Sequence, residues 1–206
     1  MTTGSTAQRR VPRGEARRRI LDVALDVIRQ QGFAATSVDD LCRAAGVTKG
    51  AFFHHFESKE ALGVAAAEHW ATVTGAMFEQ AEYHRAPTAL ERVLGYVDLR
   101  LAMVRGTPSD YSCVAGTMVQ EVFLTHPELR DACGEAIFEH AQTLESDLAE
   151  ALAAAGDPPG VDAAGLGRFM MTVVHGAFVT SKAANDPTVA VESLVHLRRY
   201  LTLLLG

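Results

Sequence analysis

Thr48, Lys49, Gly50 and Ala51 stand in a row just after a Gly46–Val47 step, and Phe53, His54, His55 and Lys59 follow at the spacing of a short helix. A hydroxyl, an ammonium and two imidazoles arranged this way donate hydrogen bonds, and they suit phosphate oxygens and base edges. Thr48 and Lys49 face the bases or the adjacent phosphates, Gly50 leaves room for close approach, and the Ala51 methyl can touch a thymine methyl. Ser37, which caps the preceding helix, is placed to hold a phosphate. Upstream, Arg9, Arg10, Arg13, Arg17, Arg18 and Arg19 crowd into eleven positions. Such a run is either a solvated arm or a set of phosphate contacts, Arg17 among them.

Groups that make or break bonds have no comparable arrangement. No two of the eight histidines lie three or four residues apart, and neither Glu-x-x-His, GxSxG nor a phosphate-loop pattern occurs. His54 and His55 point to different faces of a helix and cannot readily share one metal. Glu121, Glu139 and Glu145 either line a pocket or form a solvated acidic face. The expectation is a protein that is not an enzyme and uses no metal or cofactor.

The elements that position these groups follow from periodicity. From Ala16, apolar residues recur at Ile20, Leu21, Ala24, Leu25, Val27 and Ile28 with a helical period that stops at Gly32. Ser37 followed by Asp40 forms a capping-box variant before the stripe Val38, Leu41, Cys42, Ala45, which ends at Gly46. Thr48 caps a short third helix over residues 49–55, and Ser58 caps a fourth through Leu62, Trp70 and Met77. Gly46 permits a sharp turn and Val47 plugs the space between helices, so the third helix is held out from the body as in a helix-turn-helix. Breaks at Pro87, Gly106 to Ser112, Pro127, Gly156 to Gly160 and Pro187 divide the remainder. The pattern predicts an all-α chain of about nine helices with no internal repeat.

The net charge of −6 is unevenly spread: residues 1–60 hold ten Lys/Arg against seven Asp/Glu, and residues 61–206 hold nine against eighteen. With 48% hydrophobic residues a sizeable core can be buried. No stretch approaches the ~20 apolar residues of a membrane helix, and the arginine-rich start lacks an apolar region to follow it. Cys42, Cys113 and Cys133 are an odd, sparse set without CxxC spacing, which suits a reducing compartment. A cytoplasmic protein without a membrane partner is expected. Its parts are a basic flexible arm at 1–14, a helix-turn-helix DNA-binding domain at 15–62, and a helical domain at 63–206.

The order Thr36, Leu41, Ala45, Gly46, Val47, Lys49, Gly50, Phe53, His55, Phe56, Lys59, Glu60, Leu62, with Gly32 and Phe33 before it, resembles the N-terminal domain of the TetR family of transcriptional regulators over residues 16–64. The resemblance implies that residues 63–206 are a ligand-binding and dimerisation domain, with a homodimer built through the last two helices, whose apolar residues include Phe169, Met170, Val173, Val174 and Phe178, then Val191, Leu194, Leu197, Leu201 and Leu204. Symmetry of that kind predicts a palindromic operator in double-stranded DNA, with half-sites about 34 to 36 Å apart. It further implies a repressor that leaves its operator when a small-molecule effector shifts the fourth helix. At position 53 the family often has Tyr, whose hydroxyl holds a phosphate, and residues matching His55 and Lys59 make similar contacts. Phe53 cannot form that bond, so His54 or the arginine arm has to replace it.

The implied effector pocket has candidate linings in Trp70, Met77, Tyr96, Met103, Cys113, Met118, Phe138, Phe169 and His175, each of which could equally be plain core. Cys113 follows the Gly106 to Ser112 loop and begins a helix, where backbone N–H groups lower a thiol's pKa. It is either a sensor of electrophiles or oxidants or a small buried hydrophobe.

Overall fold

A computed structural model describes residues 13–206. Most of the basic arm expected at 1–14, Arg9 and Arg10 included, lies outside the described residues; Arg13 and Gly14 already belong to the first helix. Among the described residues there are eleven α-helices and one 3-10 helix, with no strand.

Capping chemistry sets the first four helices. After α1 (Arg13–Gln31), Gly32 takes φ +87° and returns its N–H to the carbonyl of Ile28 at 2.9 Å. In α2 (Val38–Ala45), Ser37 and Asp40 form both bonds of a capping box, and Gly46 closes the helix at φ +64°. The left-handed conformation there favours glycine because it has no Cβ to clash. Thr48 accepts from the Ala51 N–H to open α3 (Lys49–His55), and Ser58 accepts from the Ala61 N–H to open α4 (Lys59–Glu79).

The 3-10 helix Glu82–Arg85 leads to α5 (Ala89–Met103), opened by a Thr88–Glu91 capping box. There follow α6 (Pro108–Tyr111), α7 (Val114–Val122), α8 (Pro127–Gln142), α9 (Glu145–Ala154), α10 (Ala163–Ala184) and α11 (Pro187–Leu205). Two features raise the number above nine. The loop at Gly106 to Ser112 contains α6, which has Pro108 in its first turn and a Thr107–Asp110 capping box. The stretch after Pro127 breaks at Thr143 and Leu144, where the Leu144 N–H bonds to Ala141 three residues back and the buried Leu144 side chain enters the core. Pro127 and Pro187 sit at helix starts, where a missing N–H breaks no intrahelical bond.

Two apolar cores result. One joins α1, α2, α3 and the first half of α4 to α7 and the first half of α8; the other joins α5, α9, α10 and α11 to the ends of α4 and α8. The helices α4 and α8 therefore run through both. They meet closely at Gly63, where a Cβ would stand 2.8 Å from Cε2 of Phe33 and 2.9 Å from Cδ2 of Leu129. Alanine is favoured over glycine in a helix by roughly 1 kcal/mol. Gly63→Ala is nevertheless expected to destabilise the chain by about 1 to 3 kcal/mol through overpacking. Urea unfolding measures this, and a variant as stable as the parent would refute the close-packing argument.

No helix among the described residues is long and apolar enough to cross a membrane.

Candidate DNA-reading head and internal pocket

The tip of α3 is presented outward. Thr48, Lys49, Gly50, Phe53 and His54 are exposed, Ala51 and His55 half-buried, while Phe52 and Phe56 anchor the helix in the core. Thr48 Oγ1 accepts from Ala51 N at 3.1 Å, which leaves its own O–H free to donate. Lys49 Nζ lies 2.9 Å from Asp39 Oδ1 in an exposed pair that an approaching phosphate can displace at little cost. At Gly50 a Cβ would find only Thr48 Oγ1, at 3.9 Å, so nothing inside the chain demands glycine there. The Phe53 ring is 52% exposed and presents no polar atom. Arg17, exposed on the first turns of α1, lies over the Phe56 ring at 5.4 Å and so beside the end of α3.

Two of the residues expected on the DNA side have other work. Lys59 Nζ donates to the carbonyls of Phe33, Ala34 and Thr36 at 3.1, 3.4 and 3.1 Å and stands 4.5 Å over the Phe33 ring. An ammonium has three N–H groups, so these bonds remove Lys59 from the phosphate contacts. Ser37 Oγ accepts from Asp40 N and donates to Asp40 Oδ2, so its hydroxyl serves the α2 cap.

The loop that Lys59 holds from one side is held from the other by α7: Ala34 N donates to Glu121 Oε2 at 2.6 Å, and a Cβ on Gly32 would collide with Oε1. Further links tie the end of α1 to the body. Arg29 Nη1 donates to the Asp110 carbonyl at 2.9 Å, and Lys182 Nζ donates to the Arg29 carbonyl at 3.3 Å and to Thr117 Oγ1 at 3.2 Å.

Between these links lies an outer cleft of about 540 Å³ whose walls include Arg29, Gly32, Thr117, Glu121 and Lys182. Beside it is an inner chamber of about 70 Å³, and Arg29, Cys113, His175 and Phe178 border both spaces. Of the nine residues expected to line a pocket, Trp70, Met103, Cys113 and His175 meet at this chamber. Met118 is fully buried in the core beside the head, and Tyr96, also fully buried, stands behind the chamber lining, its hydroxyl bonded to Arg100, His140 and Met171. Met77, Phe138 and Phe169 are turned outward, so they do not line it. Helical periodicity placed these five on apolar faces without saying which neighbour each face meets.

Cys113 does open α7, and its Sγ accepts from Gly116 N at 3.3 Å. Desolvation outweighs that bond and pushes the thiol pKa up, so the lowered value expected from the helix start is corrected: the group is a thiol at neutral pH. Cys42 and Cys133 are buried, and all three cysteines are free.

Arg100 and His140 also line the chamber and were not singled out from the sequence. The signal was present: Val93, Tyr96, Val97 and Arg100 share one helical face, on which a charge has no ordinary place. Burial and the nearby Arg100 hold His140 down at about 3 and His175 at about 4.

Residues 20–66 match the family model described as bacterial regulatory proteins, tetR family, and residues 89–197 match the one described as the tetracyclin repressor-like C-terminal domain. The HTH-type transcriptional regulator AcrR of Shigella flexneri is 50% identical over 48 residues, which are 23% of this chain and only 22% of that protein. YxaF, an HTH-type transcriptional regulator of Bacillus subtilis, is 25% identical over 186 residues, 85% of this chain and 90% of its own length. A solved structure of a TetR-family transcriptional regulator from Agrobacterium tumefaciens superposes with a TM-score of 0.79 at 18% identity, covering 92% of this chain and 98% of that one. At that identity the likeness is one of fold.

Proposed function

The chain belongs to the TetR family of bacterial regulatory proteins, and from that premise we propose that it is a cytoplasmic repressor that binds a palindromic operator as a homodimer and leaves it when a small effector occupies the body. The observation that carries this reading is the outward tip of α3, with Thr48, Lys49 and Gly50 exposed at its capped start. A helix end held in this way enters the major groove with its first residues against the base edges. Thr48, Lys49, Gly50 and Ala51 read bases or adjacent phosphates, and Arg17, His54 and His55 hold the backbone. Residues 15–62 form the reading domain, residues 63–206 the sensing and dimerising one, and the arm at 1–14 adds charge near the DNA.

Dimerisation finds support in the apolar surface left on α10 and α11, which includes Phe169, Val195, Tyr200 and Leu203. The Phe169 and Tyr200 rings meet edge to face with centroids 5.3 Å apart. Gly176 lies exposed on α10 with no atom within 4 Å of where its Cβ would stand, which suits close approach by a second copy.

Effector release finds support in the walls of the outer cleft. Glu121 and Lys182 border that space and at the same time hold the end of α1. A ligand preferring a state in which these bonds and α4 shift needs a differential affinity of only about 1 to 3 kcal/mol to weaken operator binding.

Selection of the operator from random DNA, followed by a salt titration, tests the reading. A palindromic site and a steep salt slope are expected, with Lys49→Ala weakening binding by about tenfold or more. Phe53→Tyr, which supplies the missing hydroxyl, is expected to tighten binding by roughly 0.5 to 1.5 kcal/mol, a few-fold. Equal affinity for all sequences would refute the reading.

A further inference from the structure

Among the described residues, Arg100 is the one arginine that is neither exposed nor in an ion pair: Arg29 pairs with Asp26, Arg92 with Asp147 and Glu150, and Arg198 with Asp98. Its guanidinium lies 4.3 Å over the Phe78 ring and 5.2 Å over that of Tyr96. Nε donates to the Tyr96 hydroxyl at 2.9 Å and Nη2 to Nε2 of His140 at 2.8 Å. These bonds use two of the five N–H groups of a guanidinium. Nη1 takes no part in these bonds, and since no buried side-chain nitrogen or oxygen among the described residues lacks a partner, it reaches open space; Arg100 is one of the residues that line the chamber.

No carboxylate among the described residues stands within ion-pair distance of Arg100. His140 and His175 are neutral at neutral pH, and the Cys113 thiol is held protonated by burial. The one carboxylate among the lining residues, Asp110, gives Oδ2 to the backbone N–H and hydroxyl of Thr107. A guanidinium drawn partly out of water without a partner is unfavourable, and a carboxylate matches its free fork with two parallel bonds.

We propose that the chamber is the acid-binding subsite of the effector pocket, in which Arg100 takes the carboxylate of a small monocarboxylic acid whose carbon body rests against Trp70, Met103 and Phe178. The proposal rests on the effector reading above. A volume of about 70 Å³ holds a carboxylate and a few carbons, so any larger body passes Cys113 and His175 into the outer cleft. That cleft carries Lys182, which has no carboxylate within ion-pair distance and adds to its attraction for anions.

Trp70 is the chain's one tryptophan, so its emission reports on the chamber directly. The full chain is titrated at neutral pH with benzoate, phenylacetate and hexanoate, and with the three matching primary amides, following Trp70 emission and Tm. At least one acid is expected to change the emission saturably and raise Tm, while its amide does neither. Arg100→Gln is expected to weaken that acid by about tenfold or more, and Arg100→Lys by less. Amides that bind as well as their acids, an acid affinity unchanged in Arg100→Gln, or no binding by any of the three acids would each overturn the proposal. The acid and amide comparison on the unaltered chain decides the matter even if Arg100→Gln does not fold. The same acids are added to the operator complex. Acids that bind at Arg100 without releasing DNA leave the subsite standing and sink the effector reading. Release by neutral compounds while no acid binds sinks the subsite alone.

Discussion

Phe169→Glu is expected to yield a folded monomer that binds the operator about a hundredfold more weakly than the parent, or worse. The ring is 42% exposed in the single chain, so a glutamate there meets water and costs little stability. In a twofold dimer built on α10 and α11, the same change occurs twice across one interface and places two unpaired carboxylates against apolar surface. Truncating or opposing charges in such surroundings costs several kcal/mol, and a dimer that dissociates also loses its second half-site. Light scattering gives the mass and anisotropy with labelled operator gives the affinity. A Phe169→Glu protein that stays dimeric at micromolar concentration would refute this use of the face.

Gly176 sharpens the test. Glycine inside a helix is less favourable than alanine by roughly 1 kcal/mol, and within the chain no neighbour would meet a Cβ at that position. Gly176→Leu therefore leaves the single chain as stable or more so, while its side chain blocks the approach of a second copy. Leu124, 79% exposed just after α7, serves as the control: Leu124→Glu changes another apolar spot and leaves the dimer intact.

Local chemistry made most of the fold legible in the sequence. Ser37, Thr48 and Ser58 cap helices because a hydroxyl three residues from a free N–H needs no tertiary partner to bond it. Gly32 and Gly46 stop helices for an equally local reason, their positive φ. The break at Thr143 and Leu144 carries no proline or glycine and depends on the core that receives Leu144, so periodicity runs through it. The same division holds for the candidate site. The α3 tip is contiguous in sequence and was read as a unit, whereas the chamber draws Arg29, Trp70, Arg100, His140 and His175 from five helices. Lys59 shows the limit most clearly: its type and position suit a phosphate, and only the folded loop reveals three carbonyls within its reach.

Acidification from pH 7.5 to 5 is expected to remove on the order of 4 kcal/mol of stability through His140 and His175 together. Nε2 of His140 accepts from Arg100 at 2.8 Å, which requires its lone pair and thus the neutral ring. Desolvation first, and then the charge of Arg100, disfavour the imidazolium of both residues, with folded values of about 3 and about 4 against 6.5 for the free side chain. Above about pH 7.5 the folded and unfolded chains are nearly equally deprotonated at these positions, and the pair has little effect on the slope. Between 6.5 and about 4 the unfolded chain binds protons that the folded chain refuses, so stability falls with pH by up to about 1.4 kcal/mol per unit for each histidine. The slope for His175 flattens below about 4 and that for His140 below about 3, as the folded rings take up their own protons. Urea unfolding of the parent, His140→Gln and His175→Gln at one protein concentration measures this, since a dimer's stability depends on concentration. Each single variant should lose about half of the pH dependence between 7.5 and 5. If both fall with pH as steeply as the parent, the two imidazoles are not held neutral in the folded chain.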